Sequence, residues 1–371
     1  MPVSSAEEQE ELRSLVRGFL ADRSSSARVR DRIEAGATRD DAVWQQMADQ
    51  LGLQAIAIPE EYGGAGYGPV ELGVVLEEMG RRLYVGPYFS TVALVGQLLT
   101  ETGDEEARKL WLPSIADGSL TATLAVTEES GSWDPATFTT RADATAAGWR
   151  LTGVKSFVLD GASAGLIVVV AATPDGPGFF GVDSSAPGLS VTDLDGLDLT
   201  RSLSRVELAD TPAVRIAAEA DGTALVERVR DLAVVALAAE QVGGAAEVLE
   251  MAVEYAKLRE QFGRPIGSFQ AIKHKCADML LEVESARSAA YYAASVVAAS
   301  GTESRIAAAL AKAYCSEAYT HAAKENIQIH GGIGYTWEHD AHLYLKRAKT
   351  TEVLFGSPVE HRARLADLIG L

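Results

Sequence analysis

The sequence predicts an α+β protein in three parts. These are an N-terminal helical domain (1–118), a middle antiparallel β-barrel or sandwich (119–218) and a C-terminal four-helix bundle (219–371). Three observations carry that expectation. Apolar residues recur at helical spacing at both ends, short alternating runs fill the middle, and 371 residues are too many for one small core.

At the N-terminus, Ser5 followed by Glu8 reads as a capping box. Leu12, Leu15, Val16, Phe19 and Leu20 repeat at helical spacing behind it. The stretch PEEYGGAGYG (59–68) interrupts the helices. Its GGAGYG resembles a dinucleotide loop but does not lie between a strand and a helix, so it reads as a turn. The middle is rich in Thr, Val, Asp, Gly and Pro. Its runs LTATLAVTE, GWRLTGVKSFVL, AGLIVVVAA and LSRVELA predict strands, and PDGPG predicts a turn between them. Ala-, Glu- and Leu-rich stretches at 224–258, 269–300 and 306–329 predict long helices, a length that suits packing against other subunits.

Composition narrows the function classes. The 33 Lys+Arg against 52 Asp+Glu give a net charge of −19, which argues against nucleic acid as a partner. The acid excess is uneven, because residues 253–371 hold 14 basic and 13 acidic side chains. Two cysteines, Cys276 and Cys315, cannot build a disulfide framework and predict a cytoplasmic protein. No metal site is expected: there is no CxxC pair, and His339 and His342 read as a solvated helix face. The longest apolar runs, 166–172 and 232–239, fall far short of the ~20 residues of a membrane span. The acidic N-terminus lacks the pattern of a signal peptide.

Two motifs bear on chemistry. HGGIGYTWEH (330–339) opens on Gly331 and Gly332, which let backbone N–H groups approach a phosphate or ribose; a plain turn is the bland alternative. Arg259, Phe262, Gly263, Pro265 and Ile266 form RxxFGxPI, a helix stop signal whose Arg is suited to a pyrophosphate.

Taken together, several stretches resemble the acyl-CoA dehydrogenase family. They are LGLQAIAIPEEYGGAGYG (51–68), LEEMGR (76–81), AVTEESGSWD (125–134), REQFGRPIGSFQAIKHKCADM (259–279), QIHGGIGYTWEH (328–339) and KRAK (346–349). The resemblance implies a flavoprotein of fatty acid or steroid catabolism that binds FAD. It further implies α,β-dehydrogenation of an acyl-CoA to the enoyl-CoA, with a carboxylate taking the α-proton and flavin N5 the hydride. An electron-transfer flavoprotein would accept the electrons, and the assembly would be a tetramer.

Carried over residue by residue, the resemblance splits. Arg259, Phe262, Gln270, Gln328, Gly331 and Gly332 match the family's contacts to the nucleotide part of FAD, which reach across to a neighbouring subunit. The ring-side positions match less well. Thr127 is kept, but Glu129 stands where the family has Pro, and Trp133 where a small Ser is usual. The family's Trp-Ile-Thr aligns with Phe157, Val158 and Leu159, and Leu159 offers no hydroxyl to the flavin. The catalytic Glu position holds Phe355, before Gly356 and Ser357. The alternative base position on an earlier helix holds Ala233, with Val234 where some members place an Arg. Glu240, alone in an apolar helix, and Glu352, three residues before Phe355, are the candidate replacements.

This split favours the partner subunit of a heteromeric α2β2 enzyme whose other subunit supplies the Glu. The alternatives are a homotetramer with an unusual base and a scaffold subunit without flavin.

Overall fold

The computed structural model describes residues 4–146, 148–218, 221–299 and 301–371. Six helices precede the strands: α1 (Ala6–Arg23), α2 (Ser26–Ala35), α3 (Asp41–Leu51), α4 (Pro69–Arg81), α5 (Gln97–Thr102) and α6 (Glu105–Ala116). α1 starts on the expected capping box, with Glu8 N–H donating to Ser5 Oγ and Ser5 N–H to the Glu8 carboxylate. A fully buried π-helical segment, Phe89–Gly96, runs into α5.

Seven strands follow: β1 (Ala122–Ala125), β2 (Arg141–Thr145), β3 (Gly148–Leu159), β4 (Leu166–Thr173), β5 (Gly176–Asp183), β6 (Leu189–Asp193) and β7 (Leu203–Ile216). β2, β3, β7, β5 and β4 pair in that order, and β4 meets β2 again, so the sheet closes into a barrel. Leu151, Val158, Ile167, Val169, Phe180, Val182, Val206 and Leu208 fill its core. One expectation is corrected here: the sheet is not wholly antiparallel. β1 runs parallel to β4, from Ala122 opposite Leu166 to Ala125 opposite Val169. β2 and β3 intervene in sequence and supply the long crossover that a parallel pair requires. β5 also begins inside the stretch read as a turn, because Gly176 already pairs with Thr173.

The C-terminal region holds three long helices and two shorter ones. They are α7 (Gly222–Leu258), α8 (Gln270–Val297), α9 (Thr302–His330), α10 (Ala341–Val353) and α11 (Pro358–Ile369). A short hairpin of β8 (Glu260–Gln261) and β9 (Arg264–Pro265) joins α7 to α8. α7 is long and apolar enough to cross a bilayer, but 89% of its apolar window is buried in the protein, as in a core helix.

By internal contacts the chain forms two compact units. One holds Arg32–Leu72 and Val85–Ala233, with the barrel; the other holds Ser5–Asp31, Gly73–Tyr84 and Val234–Leu371. Charge explains why α1 joins the second unit: Arg13 and Arg17 pair with the buried Glu78 of α4. Glycine brings α4 against α7. A Cβ on Gly243 would lie 1.8 Å from the Glu77 carbonyl oxygen, an approach no other residue permits.

Candidate active site

The residues matched to the flavin ring and those matched to its nucleotide part fall in different units. In the barrel unit, Thr127 Oγ1 donates to Ser156 O at 2.7 Å, and Ser156 N–H donates to Thr127 O at 2.9 Å. Phe157 follows at a bulge in β3 with φ 59°, and it is 45% exposed. A strained backbone that holds an aromatic ring in solvent is typical of a contact surface. Leu159 is buried and presents no polar group.

A hub that sequence reasoning missed holds this edge. Glu128 accepts from Thr139 N–H at 2.9 Å, Thr139 Oγ1 at 2.6 Å, Thr140 N–H at 2.8 Å and Lys155 Nζ at 3.0 Å. Lys155 is wholly buried, donates to Val126 O at 2.8 Å and lies 4.5 Å from the Phe138 ring centre. Burial opposes the charge on Glu128, yet the Thr139 and Thr140 hydrogen bonds and the Lys155 ammonium outweigh it, holding the pKa at about 2. Burial pushes Lys155 down to about 8 against the attraction of Glu128. The signal for this hub was present: two-residue alternation along β3 counts Lys155 onto the face of the buried Leu151.

The helical unit carries the nucleotide-side residues. Phe262 and Gly263 form the two-residue turn of the β8–β9 hairpin, with φ of 54° and 75°. The turn thrusts Phe262 into solvent, where it is 91% exposed. Arg259 is fixed through its main chain, its N–H bonded to Tyr255 O at 2.8 Å and its carbonyl to Ile266 N–H at 2.7 Å. Arg259, Arg264 and Lys273 are exposed, and among the described residues no carboxylate pairs with them. Gln270, at the start of α8, is exposed as well. A groove of about 440 Å³ lies beside them, lined in part by Ala256, Pro265, Ile272 and Lys273.

α9 runs to His330, so Gln328 lies inside it and Gly331 closes it. Gly331 N–H is bonded to the Ile327 and Gln328 carbonyls, which corrects the expectation that it reaches a phosphate. Both glycines are exposed, and a Cβ on either would meet nothing within 4 Å. Three cations without acidic partners and two exposed amide side chains supply donors that fit the phosphates of a dinucleotide such as FAD.

The positions aligned with the family's base carry no carboxylate. Phe355 is buried at φ 61°, and its carbonyl accepts from His361 Nε2 at 2.9 Å. Ser357 is the N-cap of α11 and accepts from Glu360 N–H at 3.3 Å. Ala233 and Val234 are wholly buried in α7. Glu240 is buried as expected, but Arg347, itself buried, holds it at 3.0 Å. Glu352 does not share a helix face with Phe355, because α10 stops at Val353. Its carboxylate is held by Lys349 and by Thr320 Oγ1. His339 and His342 also depart from expectation: His339 precedes α10, and His342 is buried within it.

Comparison with known proteins gives the same architecture. Residues 6–119, 123–210 and 221–369 match the N-terminal, middle and C-terminal domains of acyl-CoA dehydrogenase. The chain is 35% identical over 360 residues to acyl-CoA dehydrogenase IpdE2 of Mycobacterium tuberculosis, covering 97% of this chain and 96% of that one. Among solved structures it is similar to a variant of the Tcur3481–Tcur3483 steroid ACAD, with TM-score 0.89, 34% identity and 98% of each chain covered. It is also similar to a chain of the ChsE4–ChsE5 complex from Mycobacterium tuberculosis, with TM-score 0.89, 30% identity, and 100% and 99% covered. The chain therefore belongs to the acyl-CoA dehydrogenase family, FAD-dependent oxidoreductases acting on acyl-CoA.

Proposed function

We propose that this chain is the partner subunit of a heteromeric acyl-CoA dehydrogenase whose other subunit supplies the catalytic Glu. The observation that carries the reading is the base position. A phenyl ring stands there, and the two candidate carboxylates, Glu240 and Glu352, are engaged by Arg347 and by Lys349 and Thr320. A base must be free to take the α-proton, and an ion-paired carboxylate is a weak one.

FAD, when bound, supplies the hydride acceptor for α,β-dehydrogenation of the thioester. This chain's part is to bind and orient. Arg259 and Arg264 would hold phosphates of FAD shared with the partner, while Phe262, Gln270 and the open turn at Gly331 and Gly332 flank its nucleotide part. Leu159 and Phe157 leave the ring site of this chain's own barrel without the side-chain hydroxyl the family uses. The relatives named as a steroid ACAD and as a two-component complex support a bulky acyl-CoA and an α2β2 assembly. An electron-transfer flavoprotein is the proposed acceptor.

The test is the FAD-to-chain ratio with and without a co-expressed partner. One FAD per two chains in an active heterotetramer is expected. An active homotetramer with one FAD per chain would overturn the reading.

A further inference from the structure

The Gly331–Trp337 turn is held by a feature the proposed chemistry does not use. Tyr255 of α7 stacks on His330 of α9 with ring planes 29° apart, and His339 leans on the same imidazole at 46°, each pair of ring centres 4.2 Å apart. Hydrogen bonds fix how the imidazoles are protonated. His330 Nδ1 lies 2.8 Å from the Asn326 carbonyl, which can only accept, so Nδ1 carries the hydrogen. Ala341 N–H donates to His339 Nδ1 at 3.1 Å, so that nitrogen must carry a lone pair. His339 thereby caps the first turn of α10 in its neutral form only.

The charges around the stack are few. Arg30 of α2 donates to Asp340 at 2.7 Å and to the Trp337 carbonyl, tying down the far end of the turn. Lys346 of α10 lies 4.5 Å over the Trp337 ring, whose edge meets His342 at 4.6 Å. Asp340 is the acid whose charge acts on His339 among the described residues, and it is already engaged by Arg30.

We propose that His330 and His339 are positioning residues that hold the Gly331–Trp337 turn only while both imidazoles are neutral. A proton on His339 Nδ1 removes the acceptor of the Ala341 N–H and places a positive charge against His330, so the turn is released in mild acid. Burial holds both rings below the ordinary histidine range, and for His330 the nearby His339 lowers it further. The sign follows from that direction. The unfastened state binds more protons than the stacked one, so the stack persists above pH ~6.5 and is lost as pH falls below it.

Hydrogen–deuterium exchange of the chain alone, from pH 7.5 to 5 and corrected for intrinsic rates, tests it. Residues 331–341 should lose protection in mild acid while the middle of α9 keeps it. His339→Asn retains an oxygen able to accept from Ala341 N–H but does not titrate, so the loss should vanish. A flat profile in the natural protein, or the same acid loss in H339N, overturns the proposal. If H339N does not fold, the fluorescence of Trp337, taken as the difference from Trp337→Phe, should titrate together with the exchange. No pH-dependence of that signal is an equally decisive failure.

Discussion

The two halves of the inferred cofactor site are built on opposite principles. On the barrel edge Thr127, Glu128 and Lys155 are already bonded within the chain. Glu128 is enclosed by Thr139, Thr140 and Lys155, Thr127 faces Ser156, and the phenyl ring of Phe157 stands in solvent. On the helical edge the reverse holds: Arg259, Arg264 and Lys273 are exposed without acidic partners among the described residues. A surface that leaves its guanidiniums unpaired retains the donors an anion needs, whereas one that closes on itself has none to offer. On the proposed reading, one chain keeps the nucleotide half of a shared site and not the ring half, on an unchanged fold.

Four changes would break or sharpen that contrast. The largest concerns the base. The isolated chain should show no turnover of acyl-CoA, and adding the partner should restore at least the ~10²–10⁴ that a positioned base contributes. Steady-state rates with an artificial acceptor measure this.

Next is the buried pair Glu240–Arg347. Glu240→Gln leaves a buried guanidinium short of its partner and should cost about 3–5 kcal/mol in urea unfolding. Glu240→Leu combined with Arg347→Met should recover most of that loss. Were Glu240 a base instead, the single variant would retain its stability and abolish the reaction.

Third, Arg259→Ala should weaken FAD binding to the complex by about 1.5–3 kcal/mol, the worth of a charged hydrogen bond. Its side chain is exposed, so the melting temperature of the chain should hold. A fall in melting temperature with unchanged flavin affinity would make it a structural residue.

The smallest effect is on the barrel edge. The carboxylate of Glu128 has a folded pKa of about 2 against an ordinary 4.5. Its contribution to stability is complete above pH 4.5 and drains away as pH falls toward 2. Denaturation at pH 5 and pH 3 should show that loss, and Glu128→Gln should flatten this part of it.

Much of the fold was legible because it rests on periodicity. The apolar spacing of α1 and the alternation of β3 follow from which face must leave water, and α7–α9 were legible from their Ala-, Glu- and Leu-rich composition. What escaped depended on partners distant in sequence. β5 looked like a turn because Gly176, Pro177 and Gly178 carry turn residues, yet pairing with β4 makes them strand. Glu240 was recognisable as a buried acid, but its partner Arg347 lies on another helix. Glu352 and Phe355 seemed to share a face until the helix was seen to end between them.

The α, β, α order was readable in the sequence, and so were the residue types on which the proposed site rests: Phe355, Arg259, Gly331 and Gly332. Each is a statement about residue type or local spacing, which the chain carries at every stage of folding. Only the tertiary structure decided which charges are free. Pairing depends on distances across the packed chain, so it left Arg259 in solvent, gave Glu240 to Arg347 and closed Glu128 around Lys155.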